Sequence, residues 1–168
     1  ADVVMLSDEA AAGKYPLEVI KSMRRTIELA EKDESVYYRF ENHEHDDETF
    51  LNDKVVTSAC TLARSVKAKA LIGMTKSGYT AFQLAKHRPK AGIYIFSEDR
   101  KVLSQLNLIW GVECLHYDKF TTTDGTIEDI KNILLKKGLV KEGEVLINTA
   151  SMPIYEKQRT NMVKLTVV

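Results

Sequence analysis

From about residue 50 onward, helix-periodic stretches alternate with short apolar runs, and that order leaves few folds open. The apolar runs are Ala70 to Met74 (ALIGM), Gly92 to Phe96 (GIYIF), Gly111 to Leu115 (GVECL), Glu144 to Thr149 (EVLINT) and Met162 to Val168 (MVKLTVV). Each has the length of a strand in a buried sheet. Between them the apolar residues recur at helical spacing. Val56, Ala59, Cys60 and Ala63 share one face, with Asp53 as candidate cap. Ala81 to Lys86 is a second helix, stopped by Pro89, and Ser97 to Leu108 is a third, with Ser97 as candidate cap. Ile127, Ile130, Ile133 and Leu134 line a fourth; Thr126 and Asp129 resemble a capping box, and Lys136, Lys137 and Gly138 close it. The order predicts an α/β fold: a three-layer α/β/α domain with a mostly parallel five-stranded sheet. Only the loop Ser151 to Thr160 joins the last two strands, so the last is expected antiparallel.

The link after the first of these strands is chemically distinctive. Thr75, Lys76, Ser77, Gly78, Tyr79 and Thr80 form a hydroxyl- and glycine-containing loop at the start of a helix. Unpaired backbone N–H groups and the positive end of the helix dipole favour an anion there. Gly78 can take positive φ and lets a ligand approach the backbone closely. Two readings stay open: a phosphate cradle, or a plain helix start capped by Ser77 or Thr80. In an open parallel sheet, ligands sit at strand carboxyl ends where the strand order reverses. If the first and fourth of these strands are neighbours, the Ser151 to Thr160 loop faces Thr75 to Thr80. Lys157 or Arg159 then lies near the far end of a phosphorylated ligand, unless the second loop is only a connector.

The first 49 residues have another character. Ala1 to Leu6 (ADVVML) reads as a buried strand, and Pro16 to about Lys32 as an amphipathic helix carrying Ile20, Met23, Ile27 and Ala30. Residues 33 to 49 are acidic, with aromatics in the middle, and read as a linker. His43 and His45 with Asp46, Asp47 and Glu48 are read as a solvated charge run, not a metal site. The chain opens on Ala1, straight into an apolar run, which suggests a start within a longer protein.

Formal net charge is zero, and no apolar run approaches a membrane span, so neither a nucleic-acid nor a membrane partner is expected. Cys60 and Cys114 lie among apolar residues and read as reduced, buried thiols, as in a cytoplasmic protein. Signs of catalysis are thin. Ser77 lacks the surroundings of a nucleophile elbow. His87 reads as a helix C-terminal dipole partner, Asp8 and Glu9 as possible structural carboxylates, and Trp110 as a core or interface residue. No acid, base and nucleophile assemble, so the residues describe a binding module.

The sequence also resembles a known family. Asp2, Val4, Met5, Leu6, Ser7, Glu9, Ala11, Gly13, Tyr15 and Pro16 match the end of the pyruvate kinase barrel, with Asp8 replacing a glycine and Ala10 a threonine. Thr75 to Ala81 with Arg88 and Pro89, then Trp110 to Val112, the strand Gly143 to Thr149, and Thr160-Asn161 match its second domain. The resemblance implies residues 1–32 as the last βα unit of a catalytic barrel, 33–49 as linker and 50–168 as a C-terminal regulatory domain. It implies phosphoryl transfer from phosphoenolpyruvate to ADP with Mg2+ and K+, with the catalytic residues outside this chain. It further implies an effector phosphate on Thr75, Lys76, Ser77, Gly78, Tyr79 and Thr80, with the rest of the barrel as a partner and a tetramer as the assembly. The departures are Tyr79, where many members have a basic residue, and a second loop without glycines. A non-catalytic assembly module, with the loop as a bare cap, is the competing expectation.

Overall fold

The computed structural model describes residues 1–40, 48–119, 122–152 and 159–168. A short helix, α1 (Asp8–Ala11), precedes α2 (Pro16–Ala30), which has proline in its first turn. The domain proper runs α3 (Phe50–Ser65), β1 (Ala70–Met74), α4 (Tyr79–Lys86), β2 (Gly92–Ser97), α5 (Arg100–Leu106), β3 (Val112–His116), α6 (Thr123–Lys136), β4 (Val145–Ala150) and β5 (Met162–Val167). The five strands form one sheet in the order β3-β2-β1-β4-β5. All neighbours are parallel except β4 and β5, which are antiparallel, as the short link between them requires.

Alternate residues along each strand serve opposite faces of the sheet. Leu71, Ile93, Ile95 and Ile147 join Val56, Ala59, Cys60 and Ala63 of α3, Ala81 and Leu84 of α4, and Leu106 of α5 in one buried cluster. Ala70, Ile72, Tyr94, Phe96 and Leu146 join Ile130 and Leu134 of α6 in the other. Helices therefore cover both faces, and the apolar runs predicted as strands form the middle layer.

The structure departs from the sequence reading at the amino end. Ala1 to Leu6 forms no strand, and Val3, Val4 and Met5 are exposed. An apolar run becomes a strand only when another strand pairs with its backbone, and none of the five strands pairs with this segment. Leu17, Ile20, Ile27 and Leu29 of α2 are exposed as well. What ties this end to the domain is polar and aromatic. Trp110 donates from Nε1 to Glu31 at 2.9 Å, the Arg88 guanidinium lies 4.6 Å over the same indole, and Arg88 pairs with Asp2 at 2.5 Å.

Three helix starts also differ. Asp53 does not cap α3, which begins at Phe50; its buried carboxylate accepts from Thr49 Oγ1 and from Tyr79. Asp99, not Ser97, caps α5, accepting from the Lys101 and Val102 N–H groups, while Ser97 Oγ accepts from Asp99 N–H. Thr122 caps α6 through Gly125 N–H, so Thr126 lies inside the helix, and Asp129 accepts from the Tyr117 hydroxyl instead of closing a box. The residue at the cap position lies four positions upstream of the expected one in α3 and α6 and two positions downstream in α5, while Asp53 and Asp129 serve tertiary contacts to Tyr79 and Tyr117.

Both cysteines are free thiols. Burial pushes the Cys60 thiol up to about 12, and burial with the nearby Glu113 raises that of half-buried Cys114. At pH 8 the Cys60 thiolate is then about one molecule in ten thousand. A disulfide reagent at that pH is expected to modify Cys114 in the native chain and to reach Cys60 only in denaturant. Equal native rates, read by peptide mapping, would contradict the burial of α3.

Candidate anion site at the carboxyl ends of β1 and β4

β1 pairs with β2 on one side and with β4 on the other, although β4 comes much later in the chain. Strand order therefore reverses at β1 and β4, and their carboxyl ends flank the crevice where such sheets take ligands. The loop after β1 runs Thr75 to Gly78, and the loop after β4 begins at Ser151. Both strands end in register: Thr149 lies beside Gly73, and its hydroxyl donates to the Ile72 carbonyl at 2.9 Å.

The first loop closes on itself. Thr75 N–H donates to the Phe96 carbonyl of β2 at 3.1 Å, and Gly78 N–H donates to Thr75 Oγ1 at 2.9 Å. Gly78 is the residue before α4 and has φ of +86°. A side chain there would be strained, and its Cβ would come within 2.9 Å of Leu106. No side chain caps α4; Ser77 Oγ lies at 3.5 Å from Tyr79 N–H, too long to count as a cap. The N–H groups of Lys76, Ser77 and Thr80 have no acceptor among the described residues. These donors lie at or just before the positive end of a helix, while the Lys76 ammonium is 3.6 Å from Glu98.

Not every residue expected in the cradle faces it. Thr80 is 4% exposed, and its hydroxyl shares a 2.8 Å hydrogen bond with Thr160 Oγ1 across the crevice. It offers a ligand its N–H, not its hydroxyl. Tyr79 turns its hydroxyl to Asp53 Oδ1 on α3 at 2.5 Å and accepts from Gln83 Nε2 at 3.0 Å. Burial, then the bond to Asp53, raises the Tyr79 phenol, so it remains a donor to that carboxylate. Tyr79 thus fixes α4 against α3. Arg159 reaches Glu48, donating to its carbonyl and carboxylate at 2.6 Å each. Lys157, His43 and His45 lie outside the described residues.

Residues not singled out as ligands build the far wall. Asn52 Nδ2 donates to the Thr160 carbonyl at 3.0 Å. Asn161 bridges Met152, accepting from its N–H at 2.7 Å and donating to its carbonyl at 2.9 Å. The Thr160-Asn161 pair was visible in the sequence, but a long-range amide contact such as that of Asn52 leaves no local signal. His87, at the end of α4, is buried between Arg39 O at 3.0 Å and Thr57 Oγ1 at 3.2 Å. It packs helices and faces no crevice.

Comparison with known proteins follows the same line. The family described as "Pyruvate kinase, alpha/beta domain" matches residues 53–166. The chain belongs to the pyruvate kinase family. The pyruvate kinase of Clostridium acetobutylicum is 32% identical over 167 residues, covering 99% of this chain and 35% of that protein. That of Geobacillus stearothermophilus is 33% identical over 171 residues, covering 99% of this chain and 28% of that protein. The chain thus spans about a third of the length of these pyruvate kinases. A solved structure of a Cryptosporidium parvum pyruvate kinase superposes with a TM-score of 0.81 at 23% identity, over 98% of this chain and 32% of that one. That superposition establishes the shared fold.

Proposed function

We propose that the chain is the C-terminal part of a pyruvate kinase and holds its effector site, not its catalytic residues. The reaction is phosphoryl transfer from phosphoenolpyruvate to ADP. We assign residues 1–32 to the end of the catalytic barrel, 33–49 to a linker and 50–168 to the regulatory domain. The remainder of the barrel is the partner of the first segment, a tetramer the assembly and the cytoplasm the location. The Mg2+ and K+ of the reaction are assigned to the part of the relatives that this chain does not span. Among the described residues no group of three or more His, Cys, Asp or Glu is gathered to hold a metal. Among them, too, no helix is long and apolar enough to cross a membrane.

The observation that supports this reading is the uncapped start of α4, in the loop after β1, beside the point where the strand order reverses. The effector phosphate is placed on Thr75, Lys76, Ser77 and Gly78 and on the N–H groups of Tyr79 and Thr80. Lys157 and Arg159 are placed at the far end of the ligand. Calorimetry with a panel of sugar mono- and bisphosphates tests the site, and heat from at least one monophosphate is the expected result. The same preparation, freed of host enzyme, is expected to show no turnover of phosphoenolpyruvate and ADP, because the metal and lysine of phosphoryl transfer are assigned elsewhere. Turnover would overturn the assignment of catalysis to other segments.

A second reading draws on β5. It is an edge strand with Leu165 and Val167 exposed, which suits a domain that holds subunits together. Silence of the whole panel would leave assembly as the role of the domain.

A further inference from the structure

At the other end of the sheet, around the amino ends of β1, β2 and β4, lies a pocket of about 480 Å³. Lys67, Lys69, Lys90, Gly92, Tyr94 and Glu144 line it. It lies across the domain from the crevice and takes no part in the site described above.

Tyr94 makes the pocket more than a surface groove. It is only 9% exposed, held by the α6-side core cluster, and its ring leans back along β2 onto Gly92. A Cβ at Gly92 would meet the ring and hydroxyl at 3.1–3.3 Å, so glycine leaves room for the phenol at the pocket wall. The Tyr94 hydroxyl has no hydrogen-bond partner among the described residues. The hydroxyl itself stays accessible to solvent at the wall of the pocket that Tyr94 lines, where it is free to donate. Burial, then Glu113 and Glu144, raises its pKa, so it is protonated at neutral pH and can donate.

The charges around it are unequal. Lys67 and Lys69 make no ion pair among the described residues, whereas Lys90 is paired with Glu34 and lies over the Tyr37 ring. Lys67 stands just past the end of α3 with φ of +51°, a position that usually takes glycine. The opposing carboxylates are Glu113 and Glu144, and Glu144 Oε2 already accepts from Lys141 N–H at 2.8 Å. Two exposed lysines without an ion pair among the described residues and one phenol donor therefore share the pocket region with Glu144, partly satisfied, and Glu113.

We propose that this pocket binds a small organic dianion, a phosphate monoester or a dicarboxylate, with the Tyr94 hydroxyl donating to one anionic oxygen and Lys67 and Lys69 neutralising the charge. The volume is that of an ordinary small-molecule site.

The test uses the chain carrying Ser77→Asp, which is expected to remove anion binding at the crevice. Inorganic phosphate and succinate are titrated separately while backbone amide signals are followed by NMR. Saturable shifts are expected at Lys69, Gly92 and Gly143. A response to phosphate alone identifies the ligand as a phosphate monoester, and a response to succinate alone as a dicarboxylate. Tyr94→Phe should weaken binding about tenfold or more, the loss of one hydrogen bond to a charged group. Lys69→Met should weaken it as well, with an unchanged circular dichroism spectrum. Three outcomes would overturn the proposal. One is no saturable shift at these amides with either probe. Another is shifts confined to the Thr75 to Thr80 loop. The third is equal affinity in the parent and both variants.

Discussion

Ser77→Asp is expected to abolish the stabilisation that a sugar monophosphate confers on this chain. The substitution puts a carboxylate beside the N–H groups of Lys76, Ser77 and Thr80, where the anion would sit. Hydrogen bonds to a charged group contribute roughly 1.5–3 kcal/mol each. Desolvation and lost freedom offset much of that sum, which places the dissociation constant in the micromolar to millimolar range. A ligand at about a hundredfold excess over its dissociation constant stabilises the folded state by about 2.7 kcal/mol. For a chain of this size that raises the melting temperature by roughly 5 to 10 °C. In Ser77→Asp both the heat of binding and the thermal shift should vanish. Thr123→Ala, at the start of α6 and outside the loop, should retain both. Equal heat in the parent and Ser77→Asp would leave the start of α4 an ordinary helix terminus.

Phe96→Ala is expected to destabilise the fold by about 3–5 kcal/mol, the range for emptying a buried aromatic position. Phe96 is 1% exposed and meets Tyr117 edge-on, with ring centroids 6.2 Å apart and planes at 87°. Its backbone carbonyl also accepts from Thr75 N–H, so the residue that fills the core on the α6 side anchors the first loop of the crevice. The expected signature is therefore double: a melting temperature lower by roughly 10 °C or more, and weaker anion binding at temperatures where the variant is still folded. Phe96→Leu keeps most of the volume and should lose far less stability. A Phe96→Ala variant melting within a degree or two of the parent would contradict the packing described for that face.

The layers of this fold were legible because strand and helix leave different apolar periods. Ala70 to Met74 and Gly92 to Phe96 are short and apolar throughout, as suits strands covered on both faces. The antiparallel last strand followed from the shortness of its link. Helix starts were less legible, because several polar residues compete within one turn and the winner depends on distant partners. Asp53 looks like a cap in sequence; in the fold it holds Tyr79 on another helix. The crevice could be placed once β1 and β4 were taken as neighbours. That Thr80 turns its hydroxyl to Thr160, 80 residues away, could not be read locally. Ala1 to Leu6 misled because apolar composition records a preference for burial, not a partner to pair with. The pocket around Tyr94 is silent in sequence for a related reason: its lysines come from the segment between α3 and β1 and from the link between α4 and β2, and no motif joins them.

The interior position of β4, beside β1, also governs when this domain can form at all. Ala70 pairs with Leu146, so the contact that completes the middle of the sheet spans about 75 residues, and closing so long a loop slows folding. On the ribosome, β1, β2 and β3 emerge first with one flank of β1 unpaired. That flank stays an open edge, a template for mispairing between nascent chains, until β4 leaves the exit tunnel. The crevice has one wall until that moment. A nascent chain halted before residue 145 therefore lacks the crevice, and a ligand of the proposed site would act only on the finished domain, after translation has committed the fold.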